Sequence, residues 1–107
     1  MSPSRLLLAL ACLSPTACQP VRPRAEAVLY RCTDGRTVQA TYGDSDHARL
    51  LIDGRPYRLT VAISASGARY LGEGWQWWTK GMHDAWLAPL RPGETVASAP
   101  GVACQAW

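Results

Sequence analysis

From Ala27 onward, apolar and polar residues alternate with a period of two, the pattern of strands buried on one face. Val28, Tyr30 and Cys32 share one side of the first stretch, with Leu29 and Arg31 opposite. After an Asp34-Gly35 turn, Val38, Ala40 and Tyr42 alternate with Thr37, Gln39 and Thr41. Beyond Gly43-Asp44-Ser45-Asp46, a third stretch sets Ala48, Leu50 and Ile52 against Arg49 and Leu51. Asp53-Gly54 then marks a hairpin, because a type I′ turn needs positive φ at both central residues and Asp and Gly tolerate it. The fourth stretch places Tyr57, Leu59, Val61 and Ile63 on one face and Arg58, Thr60 and Ala62 on the other; Pro56 is acceptable at a strand beginning or edge. Shorter strands are predicted around 69–71, 75–80 and 85–88. The Pro-, Gly-, Ala- and Ser-rich segment 89–107 is predicted to be irregular until Cys104 pins it. About seven short strands with regularly spaced turns and no convincing helix predict an all-β fold, an antiparallel barrel or sandwich. A closed barrel has the advantage of leaving no exposed edge.

The first residues follow a different pattern. Arg5 precedes an unbroken apolar run, 6–13, and then small residues, which reads as a secretory signal. The run is far shorter than the ~20 residues a membrane-spanning helix needs. Cys18 follows Pro15-Thr16-Ala17 and resembles the modified cysteine of a bacterial lipobox, with Pro15 standing where a leucine is usual. Cys12 also follows small and apolar residues but lies inside the apolar run, so Cys18 is the better candidate for lipidation. The expected organisation is a lipoprotein-type leader over 1–17, a Pro-containing tether over 18–26 and one β-domain over 27–107.

Export makes disulfides admissible. With Cys12 removed and Cys18 acylated, Cys32 and Cys104 are left as a single pair. A chain of 107 residues has room for one modest core, so a staple would matter. Net charge is +3, or about +2 once Arg5 leaves with the signal. The arginines are scattered rather than clustered, which argues against a nucleic-acid partner.

Catalytic chemistry finds little footing. Ser64, Ser66, His47, His83 and the aspartates form no nucleophile elbow or other local catalytic signature, and the two histidines are too far apart to suggest a metal site. The sequence has no glycine-rich phosphate loop, and no cofactor is expected. Trp75, Trp77 and Trp78 raise a second reading, a peptidoglycan- or carbohydrate-binding envelope lipoprotein that stacks exposed aromatics on sugar rings. Period two sets Trp75 and Trp77 on one face and Gln76, Trp78 and Lys80 on the other. The chain has no Phe, so tryptophan must also supply aromatic core volume.

Two segments remain, Ser66-Gly67-Ala68-Arg69-Tyr70 and Lys80-Gly81. With Tyr30-Arg31-Cys32, the Asp53-Gly54 stretch through Tyr57 and Leu59, and Cys104, they resemble the family of membrane-bound or periplasmic inhibitors of c-type lysozyme. The resemblance runs from about Tyr30 to Cys104. It implies an eight-stranded antiparallel barrel, no enzymatic activity and a c-type lysozyme as protein partner. It further implies that Ser66 and Lys80 enter the lysozyme cleft against its two catalytic carboxylates, with Gly67, Arg69, Tyr70 and Gly81 completing the lysozyme-binding site. The implied location is the bacterial cell envelope, on the periplasmic side, anchored in the outer membrane through a lipid on Cys18. Two features depart from the expected pattern. Such lysozymes are usually basic and so is this domain, so long-range steering should not help. The Met82-His83-Asp84 stretch is also less acidic than expected.

Overall fold

A computed structural model describes residues 26–107. The leader 1–17, Cys12, Cys18 and all of the tether except Glu26 lie outside the described residues. Eight strands follow one another: β1 (Ala27–Cys32), β2 (Thr37–Thr41), β3 (His47–Ile52), β4 (Arg55–Ala62), β5 (Ala68–Gly72), β6 (Trp75–Lys80), β7 (Asp84–Pro89) and β8 (Val102–Ala106). Each pairs antiparallel with the next, and β8 returns to β1, so the sheet closes into a barrel.

The alternation sorts residues as the pleat requires. Tyr30, Cys32, Val38, Ala40, Ala48, Leu50, Ile52, Leu59, Tyr70, Trp77, Ala85, Leu87 and Cys104 fill the interior. Trp77 is fully enclosed, and the small residues Ala40, Ala48 and Ala85 leave volume for it. Its ring meets Tyr30 edge-on at 4.9 Å, and its indole N–H donates to the Tyr42 hydroxyl at 2.9 Å. The Tyr42 and Tyr30 hydroxyls lie 3.4 Å apart. Burial pushes the Tyr42 phenol well above its ordinary pKa, so it stays neutral and can accept from Trp77. That contact satisfies a donor that would otherwise be orphaned in the core.

Cys32 stands directly opposite Cys104 across the β1–β8 seam, and the two form a disulfide. The staple therefore locks the pairing that closes the barrel. Asp53 (φ 47°) and Gly54 (φ 86°) adopt the left-handed pair expected of a type I′ turn. Glu73 (φ 48°) and Gly74 (φ 84°) repeat that geometry between β5 and β6, where the sequence carried no Asn or Asp to announce it. The Glu73 carboxylate accepts from the Arg58 backbone N–H of the adjacent strand.

Two expectations are corrected. Segment 89–107 is irregular over 90–101, as expected, but a strand that the sequence did not predict, β8, begins at Val102, ahead of Cys104. Its composition is weakly β-prone, and the strand exists because two neighbours, β7 and β1, both offer unpaired backbone. Val61 and Ile63 do not join the core with Leu59: they are 38% and 93% exposed. The β3 pairing ends at His47, opposite Thr60, and beyond it only the Asp46 carbonyl, accepting from the Val61 N–H at 2.7 Å, still flanks β4 on that side.

Candidate functional site

Three connections emerge at the same end of the barrel: 42–46 between β2 and β3, 63–67 between β4 and β5, and 81–83 between β6 and β7. Sequence reasoning put Ser66 in the second and Lys80 at the edge of the third, and register brings these two together. Ala68 pairs with Thr79 and Arg69 with Trp78, which sets Gly67 beside the end of β6. Gly67 has φ +67°, and a Cβ built there would lie 2.1 Å from the Thr79 carbonyl oxygen. Only glycine allows loop 63–67 to lie this close against β6.

Trp78 joins the pair. Its indole N–H donates to the Ser66 carbonyl at 2.8 Å, and the Lys80 ammonium sits 5.0 Å from the ring centroid. Such a cation–π contact contributes roughly 0.5–1 kcal/mol at an exposed site. The Ser66 carbonyl also accepts from the Ser64 hydroxyl, and the Ser66 N–H donates back to that hydroxyl at 3.3 Å. The backbone of Ser66 is thus engaged, while its own hydroxyl bonds no described residue. Lys80 is exposed and forms no ion pair with a described carboxylate. Asp84, opposite Lys80 on β7, instead accepts from the Gln105 amide at 3.5 Å.

The other expected site residues sit behind this surface or beside it. Gly81 (φ 69°) is exposed and starts the turn after Lys80. Arg69 is occupied: its Nε and Nη2 donate to the Ile63 carbonyl at 3.3 and 2.9 Å, and its Nη1 donates to the Thr95 carbonyl at 2.7 Å. Tyr70 points into the barrel at 7% exposure, 5.7 Å from the Tyr42 ring. With Val28, Tyr30, Tyr42, Thr79, Gly81 and Met82, it lines a depression at the loop end of the barrel. Sequence reasoning set Trp78 on the same face as Lys80, as found, but did not connect it with Ser66. Its place between Ser66 and Lys80 needs the β5–β6 register, which no local pattern supplied.

The three tryptophans do not form one exposed platform. Trp77 is enclosed, Trp75 is half-buried with its ring against Tyr57 at 5.9 Å, and Trp78 is committed to Ser66 and Lys80. Gln76, set by period two on the face of Trp78 and Lys80, is buried. Its side-chain oxygen accepts from the Ala97 N–H at 3.1 Å and faces Arg69 at 3.4 Å, so connection 90–101 folds over it. His47 bonds Asp44 at 3.0 Å at the start of β3, and His83 lies exposed in turn 81–83. Among the described residues, no group of three or more His, Cys, Asp or Glu side chains is placed to hold a metal ion.

Among the described residues the Ser66 hydroxyl forms no hydrogen bond and the Lys80 ammonium no ion pair, and a closed barrel that holds both on pinned loops can present them to a partner, as a binding module does. Comparison with known proteins narrows that class. Residues 30–90 match the family model of the membrane-bound lysozyme-inhibitor of c-type lysozyme. A membrane-bound lysozyme inhibitor of C-type lysozyme from Cupriavidus necator is 41% identical over 88 residues, covering 78% of this chain and 68% of the relative. Proteins of the same description from Yersinia enterocolitica and Pseudomonas aeruginosa are 31% and 34% identical. They share 66% and 74% of this chain, which spans 61% and 63% of their lengths. The crystal structure of Pseudomonas aeruginosa MliC in complex with hen egg white lysozyme matches with TM-score 0.54 and 28% identity over the whole of both chains. The chain belongs to the family of membrane-bound inhibitors of c-type lysozyme. That is a family of enzyme inhibitors, not of enzymes.

Proposed function

We propose that this barrel inhibits c-type lysozyme by inserting Ser66 and Lys80 into the enzyme's cleft. The observation that carries the reading is the Trp78 junction, which holds both residues at one ring while leaving the hydroxyl without a hydrogen bond and the ammonium without an ion pair among the described residues. Family membership, and a structural neighbour described in complex with hen lysozyme, support the choice of partner. The chemistry suits the target. A retaining glycosidase keeps one carboxyl group protonated as general acid and a second one ionised. An ammonium between them pairs with the ionised form, pulls down the pKa of the acid, and blocks the sugar sterically. A serine hydroxyl can donate to either carboxylate or accept from the protonated one. Gly67, Gly81, Arg69 and Tyr70 belong to the same site, the glycines through close approach and the other two as the support behind the loops. We further propose that the leader 1–17 is removed, that Cys18 carries the lipid, and that the tether holds the domain on the periplasmic side of a bacterial outer membrane.

The test is a lysis assay with purified residues 19–107 and c-type lysozyme, with g-type and i-type enzymes as controls. Lys80→Ala is expected to weaken inhibition by about 2–5 kcal/mol, because a buried carboxylate loses its partner. Folding should hardly change, since Lys80 is exposed. If Lys80→Ala inhibits as well as the wild type, the insertion mechanism is wrong even if binding is real.

A further inference from the structure

The loop end carries two apolar side chains that the polar pair does not account for. Ile63 is 93% exposed and Met82 is 84% exposed, the highest values among the exposed large hydrophobic side chains. Ile63 opens loop 63–67, which carries Ser66, and Met82 sits in turn 81–83, directly after Lys80-Gly81. Both lie on backbone that is held in place. The Ile63 carbonyl accepts two hydrogen bonds from the Arg69 guanidinium. The carbonyl of His83, next to Met82, accepts from the Ala106 N–H at 2.8 Å. An apolar side chain presented to water on pinned backbone gains nothing for the fold, and it enters an interface with little further ordering cost.

From this we infer that Ile63 and Met82 are a water-excluding seal, which packs on the rim of the carboxylate-lined cleft of c-type lysozyme and closes it around Ser66 and Lys80. The inference rests on the proposed function and deepens it. Physics gives the seal its purpose. An ammonium–carboxylate pair open to solvent contributes little, because high dielectric and mobile ions screen it. The same pair contributes far more once apolar neighbours expel water, as the ring of contacts around an interface hot spot does. Charge complementarity commits the occupant: the ammonium has no described carboxylate of its own, so the face that covers it must bring one.

The test is a double-mutant comparison in the lysis assay, with wild type, Lys80→Ala, Ile63→Ser/Met82→Ser and the triple variant. Because both apolar side chains are exposed, Ile63→Ser/Met82→Ser should unfold at the wild-type temperature. Its inhibition constant should rise about tenfold or more, mostly through faster dissociation. In that background Lys80→Ala should cost a much smaller factor than in the wild type, because the ammonium is already wet. An unchanged inhibition constant would overturn the inference, and so would an unchanged Lys80→Ala factor, which would make Ile63 and Met82 ordinary contacts. A wild-type chain that leaves lysozyme fully active would overturn the proposed function and this inference together. Wild-type inhibition that depends on Lys80 but not on Ile63 or Met82 would remove the inference alone.

Discussion

Gly67→Ala tests whether the loop carrying Ser66 lies against the end of β6. Two costs add at this position. An L-residue at φ +67° loses about 1 kcal/mol to the left-handed conformation. The new methyl would then sit 2.1 Å from the Thr79 carbonyl oxygen and 3.2 Å from its carbon. These are backbone atoms inside the β5–β6 ladder and cannot swing aside, so the loop must move, at the ~1–3 kcal/mol typical of overpacking. The sum, about 2–4 kcal/mol, corresponds to a melting temperature lower by roughly 10–25 °C for a domain of this size. Gly81→Ala is the matched control. Its φ is nearly the same, +69°, but nothing lies within 4 Å of the added carbon. It should cost only about 1 kcal/mol. Thermal unfolding of the two variants separates close approach from backbone strain. Gly67→Ala should also lose inhibition, because displacing the loop breaks the Trp78–Ser66 bond. Equal melting temperatures for the two variants would refute the packing of this loop on Thr79.

Trp78→Phe keeps an aromatic face for Lys80 but removes the N–H donated to Ser66, and should cost about 1 kcal/mol of inhibition. Ser66→Ala should then cost less in that background, and an undiminished Ser66→Ala effect would rule out the coupling. Removing the disulfide with Cys32→Ser/Cys104→Ser frees a sequence separation of 72 residues and should lower stability by about 4 kcal/mol, read by urea unfolding. Acid should weaken the fold through carboxylates held below their ordinary values. The Asp34 carboxylate accepts from the Arg36 backbone N–H and then from its side chain, so its folded pKa falls below the usual 3.8. Its contribution is therefore complete above that value and lost as pH falls through the lower folded one. Asp34→Asn should flatten the decline in melting temperature below pH 4, and a decline of wild-type steepness would refute the assignment.

The strands were legible where both faces had neighbours. Tyr30 and Cys32, Val38 and Ala40, and Ala48, Leu50 and Ile52 all turned inward as their alternation required. Legibility failed where tertiary structure decided the environment. Ile63 keeps the apolar parity of β4 but lies just beyond its last residue, Ala62, in loop 63–67, so the same pattern that buries Leu59 leaves Ile63 in water. Gln76 has the parity of an outer face, yet connection 90–101 covers it, and no local residue pattern announces a cover that arrives about 20 residues later. β8 is a strand because of its neighbours rather than its residues. At the site, the glycines and the serine–lysine pair could be found by motif. The roles of Trp78 and Arg69 depend on which backbone carbonyls the register brings within reach, and that information is not local.

The fold also changes the electrostatic argument. A net positive inhibitor facing a basic enzyme should be repelled at long range, but at physiological ionic strength the screening length is about 8 Å, so the nearest charges decide. Those at the loop end are not representative of the chain. Glu26, Asp44, Asp46 and Asp84 lie at this end, against Lys80 and Arg69, while at the opposite end Asp34, Asp53, Glu73 and Glu94 face Arg36, Arg55 and Arg91. The face proposed to meet the enzyme is therefore locally acidic around one exposed ammonium. Asp44→Asn/Asp46→Asn should slow association several-fold at 150 mM salt and leave dissociation nearly unchanged, because these carboxylates share the loop end with the pair proposed to insert. Stopped-flow measurements of both rates decide it. An unchanged association rate would mean that orientation alone sets the encounter. A faster one would mean that net charge still dominates at this distance, and local complementarity would then have to be sought in contacts made after docking.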